Sequence, residues 1–330
     1  MTKLKRTFLT FIFVCIGFSS FSQTALEYME KITVETKKIQ TDMWDYTNAI
    51  SHGKSARTVE KRRAELLQTS QQALNRVKNM SEYDGSVVYR DSVVSFLTIN
   101  YLVLKEDYAE IVNMEEIKEK SYDNMEAYLM AQEEANRKMQ ESADMVGKEQ
   151  TVFAAQNDIT LVTNDNDELT KKMKIAGKVY DYYNKVYLIF FKSYVQETYL
   201  MASMMNNDVS GIEQNKNALK ATSNEGLGLL KDVKSYDSDN TIVIACRNML
   251  NFYKDEAENK IDAITDYYLK KENFNTVQES FNQIKEKNRT QEDVDRFNTA
   301  VEEMNTAGEV YNSTNDVLNK ERSKFLEEWN

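Results

Sequence analysis

Proline is absent from all 330 residues, and glycine occurs only nine times. Ordinary usage would place about 16 prolines and about 23 glycines in a chain of this length. Sheet proteins and loop-rich enzymes draw on both residues for their turns, so the shortage argues against either class. Histidine occurs once, at His52 beside Gly53. A ferritin-like dinuclear centre needs two Glu-x-x-His motifs and a zincin needs His-Glu-x-x-His, so both are excluded. Phosphate-loop, dinucleotide and nucleophile-elbow glycine signatures are missing as well. Long apolar runs are scarce. Beyond the N-terminus the most apolar run is Val186 to Phe191, six residues between Lys185 and Lys192, far short of a membrane span.

What is present begins with a leader. Lys3, Lys5 and Arg6 precede the apolar stretch Phe8 to Phe18, and Ser19-Ser20-Phe21-Ser22 follows. This pattern predicts a secretory signal peptide over residues 1–22, cleaved between Ser22 and Gln23. Phe13-Val14 ahead of Cys15 are not the small residues that lipoprotein processing requires. Cleavage removes three basic residues and no acidic one, taking the net charge from -11 to -14. So acidic a chain has no general attraction to nucleic acid or anionic lipid. Cys246 is then the one remaining cysteine, so no internal disulfide is expected. Hydrophobic residues are 41% of the chain and charged residues 29%, which is enough apolar material for a real core.

Apolar residues recur at steps of three and four almost throughout, the period of a buried helix face. Leu26, Met29, Ile32, Ile39, Met43 and Tyr46 mark a first helix, and Val59, Leu66, Ala73 and Val77 a second. Val87, Val94, Leu97, Leu104 and Ile111 mark a third. Asn113 and Glu116 have capping-box spacing for a fourth, which runs through Met125, Ala135 and Val146 to Gly147. Residues 23–150 therefore read as a first helical bundle and 151–169 as a connection. The acidic run Asn164 to Glu168 lacks the central glycine of an EF-hand, so it reads as a helix start. Residues 170–330 read as a second bundle, its last helix capped by Thr290 and Asp293. The halves echo one another at an offset of 156, where Leu74, Val77 and Phe96 meet Leu230, Val233 and Phe252. The expected fold is all-α: tandem antiparallel bundles of about four helices each, with an internal duplication.

Few residues invite a chemical role. Arg90 falls on the third stripe and is followed by Asp91. The pair is a candidate polar core position, set against an arginine whose head escapes to water. Tyrosine is plentiful, at 19 residues. Tyr180, Tyr183, Tyr187 and Tyr194 are spaced to point inward, whereas Tyr182 and Tyr199 fall off that line and are candidate partner-facing aromatics. Cys246 shares a face with Val243 and Leu250 and reads as a small buried hydrophobe. Glu115 with Glu116, and Glu302 with Glu303, are adjacent on a helix and do not face one another. No catalytic, cofactor-binding or metal-ligating set is expected.

Tyr89-Arg90-Asp91-Ser92-Val93-Val94-Ser95-Phe96-Leu97, then Glu106-Asp107-Tyr108, Met114-Glu115-Glu116-Ile117, Ser121-Tyr122-Asp123 and Met125-Glu126-Ala127-Tyr128-Leu129 resemble a group of exported, all-helical surface or envelope proteins of Bacteroidota and spirochaetes. The likeness is clear over residues 85–135. It implies export and a helical fold, and it transfers no catalytic residue. The leader ending Phe21-Ser22-Gln23 looks like those of Flavobacteria-type proteins. The expectation is a non-enzymatic protein of the periplasm or cell surface. It binds or scaffolds an envelope protein or glycan and keeps no transmembrane anchor in its mature form. The competing expectation is a helical enzyme or small-ligand binder with a cleft between the bundles.

Overall fold

The computed structural model describes residues 20–52, 54–115, 117–162 and 167–329. The expected signal peptide lies outside the described residues up to Ser19. Among the described residues there are ten α-helices: α1 (Ser20–Ser51), α2 (Ala56–Lys78), α3 (Val88–Leu102), α4 (Tyr108–Glu115), α5 (Tyr122–Gln156), α6 (Glu168–Met205), α7 (Val209–Leu229), α8 (Thr241–Asp255), α9 (Ile261–Gln283) and α10 (Gln291–Trp329). One π-helical turn (Val103–Asp107) joins α3 to α4, and another (Glu256–Lys260) joins α8 to α9. Among the described residues the protein is thus all-α, with eight helical rods and no strand. No helix among the described residues is long and apolar enough to cross a membrane.

With no proline to break them, the helices end where side chains offer the backbone another partner. Ser55 accepts from the Thr58 amide, Ser121 from Asn124 and Asp208 from Gly211, each satisfying one of the orphan donors at a helix start. Thr290 and Asp293 form the expected reciprocal cap, with Thr290 N donating to Asp293 Oδ2 at 2.9 Å and Asp293 N to Thr290 Oγ1 at 3.2 Å. The fourth rod departs from expectation. Asn113 lies within α4, Glu116 is outside the described residues, and α5 begins after Ser121. Gly147 is interior to α5, which runs on to Gln156.

The chain divides into two compact units, Met1–Asp181 and Tyr182–Asn330. The division falls inside α6, whose start packs on the first unit. Gln40 donates to Thr170 at 3.0 Å, and Met173 packs against the cluster of Met43, Tyr46, Leu66 and Leu104. In that unit α1 lies antiparallel to α2, with Tyr28 near Ser81 and Arg62 near Asp45. α3 is antiparallel to α5, with Asn100 on Ser142 and Tyr89 stacked on Phe153 at 4.9 Å.

In the second unit α6 packs on α7 through Lys192–Glu225 and Ser193–Thr222, and on α8 where Cys246 meets the Val186 carbonyl. α8 pairs with α10 through Phe252 and Phe325, with ring centroids 5.7 Å apart. α9 pairs with α10 along Tyr267–Tyr311, Lys270–Glu303 and Phe281–Phe297. Beyond Tyr268, α9 has no fully buried residue. From there the α9–α10 pair is a two-helix arm closed on a seam of Phe274, Phe281 and Phe297, with Arg289 over the Phe281 ring.

Corresponding features of the two units are 153 residues apart. The caps Ser55 and Asp208, the helix starts Val88 and Thr241, and the π-turn starts Val103 and Glu256 all share this spacing. So do the fully buried pairs Leu66 and Leu219, and Ser70 and Ser223; both serine hydroxyls lack a hydrogen-bond partner. These features share a spacing of 153, where the apolar residues alone suggest 156. Three residues are nearly one helical turn, so an apolar stripe overlaps itself almost as well at one offset as at the other.

Candidate functional site

Arg90 lies beside the end of α2. Its Nη1 donates to the Met80 carbonyl at 2.8 Å and its Nε to Asp91 Oδ1 at 2.9 Å. A cation there satisfies a carbonyl that the helix end leaves open. The bond to Asp91 holds the guanidinium pKa up. Arg90 and Asp91 thus fasten a helix junction, with Asp91 largely in water.

The tyrosines are arranged differently from the expected pattern. Tyr182, expected to face a partner, is turned onto its own chain. Its hydroxyl donates to the Asp239 carbonyl at 3.3 Å and its ring lies 5.9 Å from Tyr236. Tyr183 and Tyr194, expected inward, are 40% and 36% exposed, and Tyr199 is 39% exposed. Residues 183 and 194 sit at the edge of the core-facing arc, where a long amphipathic ring can stack inward and still reach water. Tyr183 stacks on Tyr187, and Tyr187 on Phe191.

Cys246 is fully buried, and burial pushes its thiol up to about 12. It is a packing residue and not a nucleophile at neutral pH. His52 is exposed beside the Asn48 carbonyl at the end of α1.

The second unit holds a charged cluster that stripe reading passes over. Glu197 of α6 and Glu256, the first residue of the second π turn, are 4% and 0% exposed. Arg322 of α10 reaches between them. Its Nε donates to Glu197 Oε1, and its Nη2 to Glu256 Oε1 at 2.9 Å. Nη1 goes to Asn319 Oδ1 at 2.8 Å, and the guanidinium also lies near Met201 Sδ and the Phe252 ring. Two atoms in this cluster have no partner: Glu256 Oε2 and the Tyr253 hydroxyl. Burial first, and the Glu197 carboxylate second, push Glu256 up to about 8. Burial and then Glu197 also hold Tyr253 well above the phenol range. Burial works against the charged guanidinium, but Glu197 and Glu256 outweigh it, so the Arg322 pKa is raised.

A sequence signal for this cluster exists in retrospect. Glu197 continues the steps Val186, Phe190, Ser193, and Arg322 fills the gap between Leu318 and Phe325. Unlike Arg90, these stripe positions point inward because the opposite charges pair there. At the equivalent π-turn position the first unit has Val103, which is buried and apolar.

The cluster lines neither of two surface grooves between helix pairs. One lies between α9 and α10 and is lined by Asp266, Lys270, Glu302, Glu303 and their neighbours. The other lies between α1 and α2, around Lys38, Asp42 and Arg76. Among the described residues no group of three or more His, Cys, Asp or Glu is placed to hold a metal ion. What the cluster can do chemically is hold a proton. Comparison with protein-family models, with curated proteins and with solved structures gives no match.

Proposed function

We propose that this chain is an exported envelope or surface protein that binds or scaffolds another macromolecule, a protein or glycan of the cell envelope. The observation that carries the reading is the α9–α10 arm. Residues 269–283 of α9 add no fully buried side chain to their unit, yet they are held as ordered helix by a dedicated aromatic seam. A segment that contributes nothing to its own core is retained for its surface, and Leu269 and Val310 present 48% of theirs to solvent. The leader at residues 1–22 and the likeness of residues 85–135 to exported helical proteins support the location.

We also infer that the units are tandem antiparallel bundles of four rods each, descended from one duplicated bundle. Support comes from the 153-residue register shared by caps, π turns and buried serines. The arm is then an elaboration of the second copy, since α4 is only eight residues long where α9 has 23.

The test is photocrosslinking in the native envelope. Probes at Leu269 and Val310 are compared with one at Met130 on α5, which is 64% exposed. The reading expects a discrete adduct from the arm positions and none from Met130. Equal labelling from all three positions would overturn it. Purified protein that begins at Met1 would remove the export proposal.

A further inference from the structure

Two carboxyl groups meet one guanidinium in the core of the second unit, and they come from three separate rods. Glu197 is on α6, Glu256 on the π turn after α8, and Arg322 on α10. One guanidinium balances one carboxylate. A second carboxylate at full burial leaves uncompensated charge in a low-dielectric site, which is costly. Glu256 Oε2 is the atom at which this imbalance is visible, because it is buried and accepts nothing. A proton there removes the excess charge and turns an orphan acceptor into a donor.

We propose that Glu256, with Glu197 and Arg322, forms a proton-operated latch that fastens the C-terminal half of α10 to the core of the second unit. The moving part is α10 because little else holds it. Beyond Ala307, Leu318 is its one fully buried hydrophobic side chain among the described residues. Its other ties are Tyr311 on Tyr267 and Tyr268 at the start of that half, and Phe325 on Phe252 and Glu328 on Asn248 near its end. Segments with so few buried contacts open at the lowest free energy. Glu256 opens the π turn and lies on the buried face between Tyr253 and Ala257.

The groups that face the latch are few. α8 supplies Tyr253, whose hydroxyl is protonated throughout the neutral range. The lysines of α7 look elsewhere: Lys216 pairs with Glu213 and Asp262, and Lys220 with Glu258. α10 adds Asn319, which is neutral. The proton that matters therefore sits on Glu256. Opening α10 hydrates Glu256 and returns it to an ordinary carboxyl, so the open form releases a proton between about 4.5 and about 8. The latch tightens as pH falls through that window and is loosest above it.

The experiment is hydrogen exchange of the full chain between pH 5 and pH 9, corrected for intrinsic exchange rates. The amides of residues 311–329 are compared with those of α7. The opening constant of α10 is expected to rise up to about tenfold per pH unit across the window and then level off. Glu256→Gln, neutral at every pH, should abolish this slope while α7 stays protected. Equal slopes in the two proteins, or a wild-type opening constant independent of pH, would overturn the latch. If Glu256→Gln does not fold, the wild type decides the matter by infrared spectroscopy. A protonated-carboxyl band at pH 7 that disappears by pH 9 with helix content unchanged supports the latch, and its absence at pH 7 refutes it.

Discussion

The ring of Tyr28 lies 5.4 Å from that of Tyr83, and its hydroxyl donates to the Ser81 carbonyl at 2.9 Å. Tyr182 repeats the arrangement against Tyr236, with its hydroxyl on the Asp239 carbonyl. In each unit the first helix thus clamps the tight turn that joins the next two rods. Tyr83 and Ser86 exchange backbone hydrogen bonds at 3.0 and 2.9 Å, and Tyr236 and Asp239 do so at 2.9 and 2.7 Å.

The clamp predicts matched effects in both units. Tyr28→Ala and Tyr182→Ala should each cost about 2 kcal/mol, from lost ring packing and an unpaired carbonyl. The two phenylalanine variants should cost about 1 kcal/mol. Hydrogen exchange of the full chain locates the loss. Tyr28 variants should expose α2 and α3, and Tyr182 variants α7 and α8. A loss confined to the opposite unit would remove the clamp.

The turns themselves differ in one residue that matters. Both central positions have left-handed backbones: Asp84 (φ 48°) and Gly85 (φ 74°), then Asp237 (φ 49°) and Ser238 (φ 70°). A side chain there costs roughly 1–2 kcal/mol, which glycine avoids. Ser238→Gly should therefore raise the stability of the second unit by about 1 kcal/mol, and Gly85→Ser should lower that of the first by a similar amount. A Cβ at Gly85 meets nothing within 4 Å, so that cost is conformational and not steric. Thermal unfolding of each variant measures the sign.

Much of this fold was legible because a period of 3.6 residues leaves its mark on every buried face. Leu66, Val77, Leu97, Cys246 and Leu250 are all buried as their spacing requires. Three features were not legible, each for a physical reason. A π turn adds one residue to a stripe, and local periodicity tolerates that slip, so Val103–Asp107 and Glu256–Lys260 passed as ordinary helix. The fourth rod is expected to start at Asn113, but Asn113 continues α4 and the cap is Ser121, whose side chain accepts from the Asn124 amide. The buried charged cluster was not legible because a charge on a stripe reads the same whether it snorkels or pairs inside. Arg90, on a stripe, fastens a helix end at the surface, whereas Glu197, Glu256 and Arg322 go inside because they pair.

Gly226 and Gly228 lie two residues apart on α7 and should respond oppositely to alanine. A Cβ on Gly226 would meet Leu250 Cδ1 at 2.8 Å and Ile189 Cγ2 at 3.2 Å. The close approach of α7 to its neighbours depends on that missing atom, and the equivalent residue of the first unit, Ala73, is also small. Overpacking of this kind costs about 1–3 kcal/mol, more than the gain of about 1 kcal/mol in helix propensity. A Cβ on Gly228 meets nothing, so Gly228→Ala should stabilise by about 0.5–1 kcal/mol. Urea unfolding of the two variants gives the comparison. Destabilisation by both would show that α7 packs through Gly228 as well.

The buried carboxyl predicts an unusual pH dependence for overall stability. The Glu256 pKa is about 8 in the folded chain and near 4.5 for an ordinary carboxyl. Between those values the folded form binds a proton that the unfolded form has lost. Stability from this group is therefore greatest at the acidic end and falls as pH rises, by up to about 1.4 kcal/mol per pH unit, until it levels off near pH 8. Carboxylates with lowered pKa values work in the other direction but elsewhere on the scale. Hydrogen bonds from Thr170, Thr241 and Thr290 lower Asp167, Asp239 and Asp293, whose contributions are lost only below their ordinary value of 3.8. Urea unfolding followed by circular dichroism from pH 5 to pH 9 should thus show a midpoint that declines with pH in the wild type and stays flat in Glu256→Gln. A wild-type midpoint as flat over this range as that of Glu256→Gln would mean that Glu256 is ionised in the folded protein.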